Sequence, residues 1–274
     1  MQKTTVAVIE VLIVIIGISL IAYYKFYQAP RLGIMQPAPS SPPVLVDKSS
    51  YFLVSVKEQP SFTIIDVEYP YFENAPQSFN EKIKEYVFAK IKEHNSLSEA
   101  NWKSRFGSAF EESNFPEKPE VEGDKMPFYM KTDVVQSNNQ FISFTLHYAT
   151  YQTRALFSEE ILSFNFDLSK QKEITLEELF SNNPLYLQDI SRFAKSDLEK
   201  QLVDTESLKD LGLTTEVQNT YVKNISRSIA IGTNPKISNF STFTFTPESV
   251  TFYFQKTQVG PTSIGMPKVV MPRK

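Results

Sequence analysis

The run at residues 6–24, VAVIEVLIVIIGISLIAYY, constrains this chain more than any other stretch. It holds nineteen residues and one charge, Glu10. As a helix rising about 1.5 Å per residue it reaches about 28 Å, close to the hydrocarbon thickness of a bilayer. A cleavable signal peptide has a shorter apolar core of about 7–15 residues, followed by a small-x-small site. Here bulky Tyr23, Tyr24, Phe26 and Tyr27 follow, and Pro30 stands directly after Ala29. The reading is an uncleaved transmembrane anchor over residues 1–27, with the three tyrosines at the interface and Lys25 and Arg31 among the headgroups. The five residues before it leave no room for a folded domain. The expected topology is therefore a single-pass, N-in/C-out protein with an extracytoplasmic folded part. The flanking charges, Lys3 against Lys25 and Arg31, lean weakly the other way.

Residues 28–50 carry Pro30, Pro37, Pro39, Pro42 and Pro43 among small polar residues, which reads as a semi-rigid extended spacer. The remaining residues suffice for one large domain or two small ones. Net charge is −3 and no basic stretch occurs, so nucleic acid binding has no electrostatic support. The absence of cysteine excludes disulfides, thiolate metal sites and cysteine nucleophiles. An aromatic share of 13%, mostly Phe and Tyr, points to a β-rich core.

Periodicity places strands over residues 51–56 and 61–69, the second bounded by Pro60 and Pro70. A helix over 78–94 follows, with Phe79, Ile83, Tyr86, Val87 and Ile91 on one face and a Ser78/Glu81 capping box. Residues 96–125 read as a helical extension and a loop, with Trp102 and Phe106 as packing anchors. Three strands come next, over 129–135, 141–148 and 161–168. Ile142, Phe144, Leu146 and Tyr148 share a face, and Ser137–Asn138–Asn139 makes the turn before them. Thr175-Leu-Glu-Glu178 opens a short helix as a capping box. A longer helix runs from Asn183-Pro184 to about Val203 with Leu187, Ile190, Ala194 and Leu198 inward, and another spans 214–229. A Phe-rich hairpin over 240–254 turns at Pro247-Glu248. Strands and helices in blocks define an α+β class: a mostly antiparallel sheet packed with helices, after the N-terminal transmembrane helix.

Chemistry-bearing motifs are absent. His94 is read at a helix end, where a cation suits the dipole, and His147 on the face opposite Leu146 and Tyr148. Neither belongs to a zinc-ligand spacing, no serine stands in a nucleophile elbow and no glycine loop cradles phosphate. Asp167, Glu177 and Glu178 are neighbouring carboxylates, but a turn accounts for Asp167 and capping for Glu178. No catalytic residue, cofactor or metal is assigned.

Residues 163–180, SFNFDLSKQKEITLEELF, and 243–272, FTFTPESVTFYFQKTQVGPTSIGMPKVVMP, resemble the DUF3298 family. That family shows a strand ending in Asp-Leu, a Thr-Leu-acid-acid-Leu-Phe helix, a Phe-rich hairpin and a Pro-x-x-x-Gly tail, here Pro261 and Gly265. The likeness covers roughly residues 60–272. On it, 51–139 is a DUF4163-like region and 140–274 a DUF3298-like region, the two together forming one compact unit. Relatives of this kind include the extracellular part of a lysozyme-binding anti-sigma factor and the non-catalytic region of a peptidoglycan deacetylase. The resemblance implies a binding module facing the cell envelope, with a lysozyme-like protein or peptidoglycan as ligand. The 149–160 loop and the tail would rim the binding surface, through Tyr151, Arg154 and Phe157 with Pro261 and Gly265. At Tyr151-Gln-Thr-Arg-Ala155 the chain departs from the family's Gly-Ala-His-like turn. Two rival readings remain. One is a peptidoglycan-modifying enzyme or accessory. The other is a pilin-like subunit, because IEVLIVIIGI resembles the start of type IV pilins, although Thr4 and Thr5 stand where a processing glycine belongs.

Overall fold

The computed structural model describes residues 50–106, 118–120, 124–151, 157–203 and 214–273. The anchor over 1–27 and nearly all of the 28–50 spacer lie outside the described residues, within which no helix is long and apolar enough to cross a membrane.

A six-stranded sheet comes first. Its strands are β1 (Tyr51–Glu58), β2 (Thr63–Phe72), β3 (Met126–Ser137), β4 (Phe141–Tyr151), β5 (Phe157–Asp167) and the two-residue β6 (Lys172–Glu173). They lie in sequence order. All pairs are antiparallel except β2–β3, which is parallel because helix α1 (Gln77–Phe106) crosses over between them. The α+β class and the mostly antiparallel sheet are as the sequence predicts; the parallel pair is an addition to it.

The predicted helical stripe is the buried one. Phe79, Ile83, Val87 and Ile91 pack against Ile65, Val67, Phe128, Ile142, Phe144, Leu146 and Tyr148 from one face of the sheet, and Tyr86 is half-buried beside them. Burial at this level is worth roughly 1.5–3 kcal/mol per large side chain. The predicted Ser78/Glu81 cap is not formed. Helix α1 starts one residue earlier, with the Phe79 and Asn80 amides donating to the Pro76 carbonyl. Asn80 fixes the start instead, since its amide accepts from the Phe72 N–H and donates to the Phe72 carbonyl, both at 2.9 Å. Two further differences concern lengths: β2 runs through Pro70 to Phe72, and β3 begins at Met126, whereas the continuation of α1 past His94 to Phe106 is the helical extension expected after residue 96. Trp102 is half-buried on α1.

The C-terminal part builds a second core. It contains α2 (Leu176–Leu179), α3 (Tyr186–Leu202), α4 (Thr215–Gly232), a 3-10 turn at Ile237–Phe240, and a sheet of β7 (Phe243–Phe245), β8 (Ser249–Tyr253) and β9 (Lys268–Pro272). The Thr175/Glu178 capping box forms, and Ile190, Ala194 and Leu198 are buried with Leu187 packed beside them. Thr214 caps α4 by accepting from the Val217 N–H. The expected hairpin is β7–β8, but the tail adds β9 along β8, making three antiparallel strands. Phe240, Phe243, Phe245, Phe252 and Phe254 fill this core.

The two parts meet on the sheet face opposite α1. β7 has no strand on its outer edge. Its backbone there is satisfied by side chains: the Phe243 N–H donates to Ser163 Oγ (2.9 Å), Asn165 Nδ2 donates to the Phe243 carbonyl (2.8 Å), and the Phe245 N–H donates to Ser143 Oγ (2.9 Å). Beside them Gln255 imitates a strand, donating to the Ile161 carbonyl at 2.6 Å and accepting from the Ile161 N–H at 3.3 Å.

Candidate binding groove

A groove of about 740 Å³ opens where α2, the start of α3 and the end of β9 converge. The Thr175/Glu178 capping box stops α2 after one turn, with Phe180 as its C-cap. Leu179 and Phe180 thereby enter the groove wall, and Phe180 stacks on Tyr186 with ring centroids 5.9 Å apart. Asn183 shapes the next turn: it accepts from the Leu185 N–H at 2.9 Å and donates to Asp189 at 3.0 Å. Helix α3 then presents Arg192 and Phe193, while β9 contributes Met271 and leads into Arg273. Phe193 is 36% exposed and nearby Leu185 59%, so apolar surface extends beyond the groove itself.

The charged groups here are Asp189, Arg192 and Arg273. Arg192 lies 3.7 Å from Asp189. Arg273 is half-buried; its guanidinium lies 5.9 Å from the Phe245 ring centroid and donates to the Thr246 carbonyl at 3.0 Å. One carboxylate among two arginines, with no histidine or lysine in the lining, offers no acid–base pair. Apolar and cationic side chains lining one groove suit recognition.

The residues expected to form a binding rim are only partly collected. Tyr151 ends β4 opposite Phe157 at the start of β5, and Arg154 lies outside the described residues. Pro261 precedes, and Gly265 closes, a 3-10 turn at Thr262–Ile264 in the tail. Gly265 has φ +76°, which explains glycine there. The tail reaches the β4–β5 hairpin through the Lys256–Glu159 ion pair at 2.8 Å. The groove lies elsewhere and was not anticipated. Its one sequence signal is Phe193, an aromatic residue one position off the buried Ile190–Ala194–Leu198 stripe.

The other titratable groups singled out in the sequence lie outside the groove lining. His94 is buried in the middle of α1 rather than at its end, 3.1 Å from the Met126 carbonyl and 5.3 Å from the Phe128 ring; burial lowers its pKa. His147 is exposed on the face opposite Leu146, as read from the alternation. Asp167 is buried and accepts from the Ser169 N–H and hydroxyl and the Lys170 N–H; the hydroxyl leads in pulling its pKa down. Glu178 is committed to its cap and to Lys172, and Glu177 is exposed. A small cavity of about 80 Å³ lies under the β4–β5 hairpin, where the Tyr148 hydroxyl donates to Glu160 and burial raises the phenol pKa. Among the described residues no three His, Asp or Glu side chains are grouped to hold a metal ion.

Comparison with known families places a DUF3298 domain, a protein family of unknown function, at residues 177–274, the part that carries the groove. The N-terminal extent of the likeness, residues 60–176, lies outside that match. Over most of the chain the fold is similar to the crystal structure of a DUF3298 family member from Bacteroides fragilis. The two share 14% identity over 81% of this chain and 89% of that one, with a TM-score of 0.52. A DUF3298 family protein from Pseudomonas aeruginosa matches with 11% identity, the same coverages and a TM-score of 0.44. No curated protein matches.

Proposed function

We propose that this chain is a non-catalytic binding or sensing module of the bacterial cell envelope, tethered by residues 6–24 and spaced from the membrane by residues 28–50. The observation that carries the binding role is the groove of about 740 Å³ between α2, α3 and β9, with Phe180, Phe193 and Met271 beside two arginines. Aromatic and arginine side chains in one concave surface are the composition of interaction hot spots. The tether is supported by the apolar run and its aromatic flank. This reading includes a DUF4163-like region over 51–139 and a likeness to the extracellular part of a lysozyme-binding anti-sigma factor, so the ligand is a protein, lysozyme-like or other, or a cell-wall polymer.

The test has two measurements. Protease added to intact cells should digest residues 51–274; protection of them until the cells are opened overturns the outward placement. The full-length chain in nanodiscs should retain lysozyme or solubilised peptidoglycan fragments, and Phe193→Ala should weaken that retention at least fivefold. Retention unchanged by Phe193→Ala moves the site away from the groove. Turnover of peptidoglycan by the wild-type chain replaces the module with the enzyme reading.

A further inference from the structure

We infer that the groove selects an acidic polypeptide segment, one in which a carboxylate neighbours an apolar side chain, and that Arg273 is its anion receptor. The inference rests on the groove being the binding site. Four half-buried cations can be compared, of which Lys125 lies outside the groove and reaches the Gln59 carbonyl at 3.4 Å. Lys90 pairs with Glu93 at 2.9 Å and Lys256 with Glu159 at 2.8 Å. Arg273 has no carboxylate partner among the described residues. One Nη1 proton goes to the Thr246 carbonyl, its backbone N–H goes to the Glu248 carbonyl at 2.8 Å, and its plane is set near Phe245. These contacts orient the guanidinium and leave most of its five donors without a partner among the described residues. A partly desolvated cation without a counter-charge is unfavourable, and a ligand carboxylate binding in two-pronged fashion removes that penalty.

The rest of the groove decides which anion. Arg192 is paired with Asp189, which Asn183 also holds, so Arg273 supplies the groove's unbalanced positive charge. Phe180, Phe193 and Met271 supply apolar surface that a free phosphate or a sugar does not use but that a Phe, Leu or Met side chain does. An acidic residue within a step or two of such a side chain satisfies both parts at once.

The experiment selects random twelve-residue peptides on the intact chain in detergent micelles, in parallel with Arg273→Gln and Phe193→Ala. The wild type should enrich Asp or Glu within two positions of Phe, Leu or Met, and Arg273→Gln should keep the apolar preference while losing the acidic one. A selected peptide resynthesised with Gln for its acidic residue should bind the wild-type chain at least about tenfold more weakly, as expected for one charge-assisted hydrogen bond. That arm does not depend on the variants folding. Peptides lacking acidic residues, an acidic preference that survives Arg273→Gln, or equal binding of the Gln peptide overturns the inference and leaves the groove standing. Peptides whose binding ignores Phe193→Ala overturn the groove and the inference together. Displacement of the peptide by equimolar inorganic phosphate overturns the polypeptide assignment in favour of a general anion site.

Discussion

Ser143 on β4 donates its hydroxyl to the Asn165 side-chain oxygen on β5 at 2.7 Å, and the two residues together hold the outer edge of β7. Asn165 gives its amide protons to the Phe243 carbonyl while Ser143 accepts from the Phe245 N–H. Both are buried. The join between the six-stranded and three-stranded sheets is thus made by side chains imitating a missing strand.

Asn165→Leu removes one donor and one acceptor from that join and leaves the Phe243 carbonyl without its partner. Each orphaned buried group costs about 1–3 kcal/mol, so a loss of about 2–4 kcal/mol is expected. Urea unfolding measures it. A change under about 0.5 kcal/mol would show that water replaces the amide at no cost.

Gln255 has an equivalent task at the edge of β5. Gln255→Leu is expected to cost about 1–2 kcal/mol by freeing the Ile161 N–H and carbonyl. Hydrogen exchange at the Ile161 amide should accelerate, with the β3–β4 amides as an internal reference. Unchanged exchange at Ile161 would mean that the edge is protected by something other than Gln255.

Gly232 ends α4 against the tail. A Cβ built there would meet the Gln258 carbonyl oxygen at 2.2 Å and Val259 Cγ1 at 2.7 Å. The first obstacle is backbone, so the tail itself must move. Gly232→Ala should therefore destabilise by about 1–3 kcal/mol and broaden the thermal transition. Gly260→Ala is the comparison: its Cβ would crowd the Ile264 Cδ1 end at 2.3 Å, a side chain able to turn aside, and meet Ile225 Cδ1 at an ordinary 3.5 Å, so the milder effect belongs there.

His94 sets an acid limit on stability. Burial lowers its folded pKa below the ordinary value, so between the two values the unfolded chain binds a proton that the folded chain does not. The stability that His94 supports is complete above pH of about 6.5 and falls as pH drops below it. His147, exposed on its sheet face but partly desolvated there, is shifted the same way with the Lys256 ammonium adding to the lowering, whereas Asp167 acts only in the carboxylate range at lower pH. Chemical unfolding at pH 7.5 and 5.5 should show a loss at the lower pH, reduced in His94→Gln and abolished in His94→Gln/His147→Gln. An identical loss in the double variant would assign it to other groups.

Much of the local structure could be read from the chain. The Phe79–Ile83–Val87–Ile91 stripe, the Ile142–Tyr148 face and the Thr175 capping box are set by residues a few positions apart, and each is found as expected. What escaped depends on distant partners. Ser78 fits a cap by spacing, but Asn80 gains two bonds to Phe72 and fixes the helix one residue earlier. Pro70 reads as a boundary, yet β2 passes through it, because its missing donor points away from β1, on the side where pairing with β3 has already ended at Val67. Ser143, Ser163 and Asn165 are polar positions alternating with core residues, and only the arrival of β7 gives them backbone partners. The groove escaped for the same reason, since Phe193 and Arg273 are eighty residues apart in the chain.

The DUF3298 match begins at residue 177, and the second core lies almost wholly beyond that point. The three side chains that complete β7 stand before it, at 143, 163 and 165. A fragment cut at 177 would keep its greasy interior and gain a raw strand border that pairs with copies of itself. The portable piece of this protein is longer than its recognisable piece, and a graft or expression fragment should start ahead of β1.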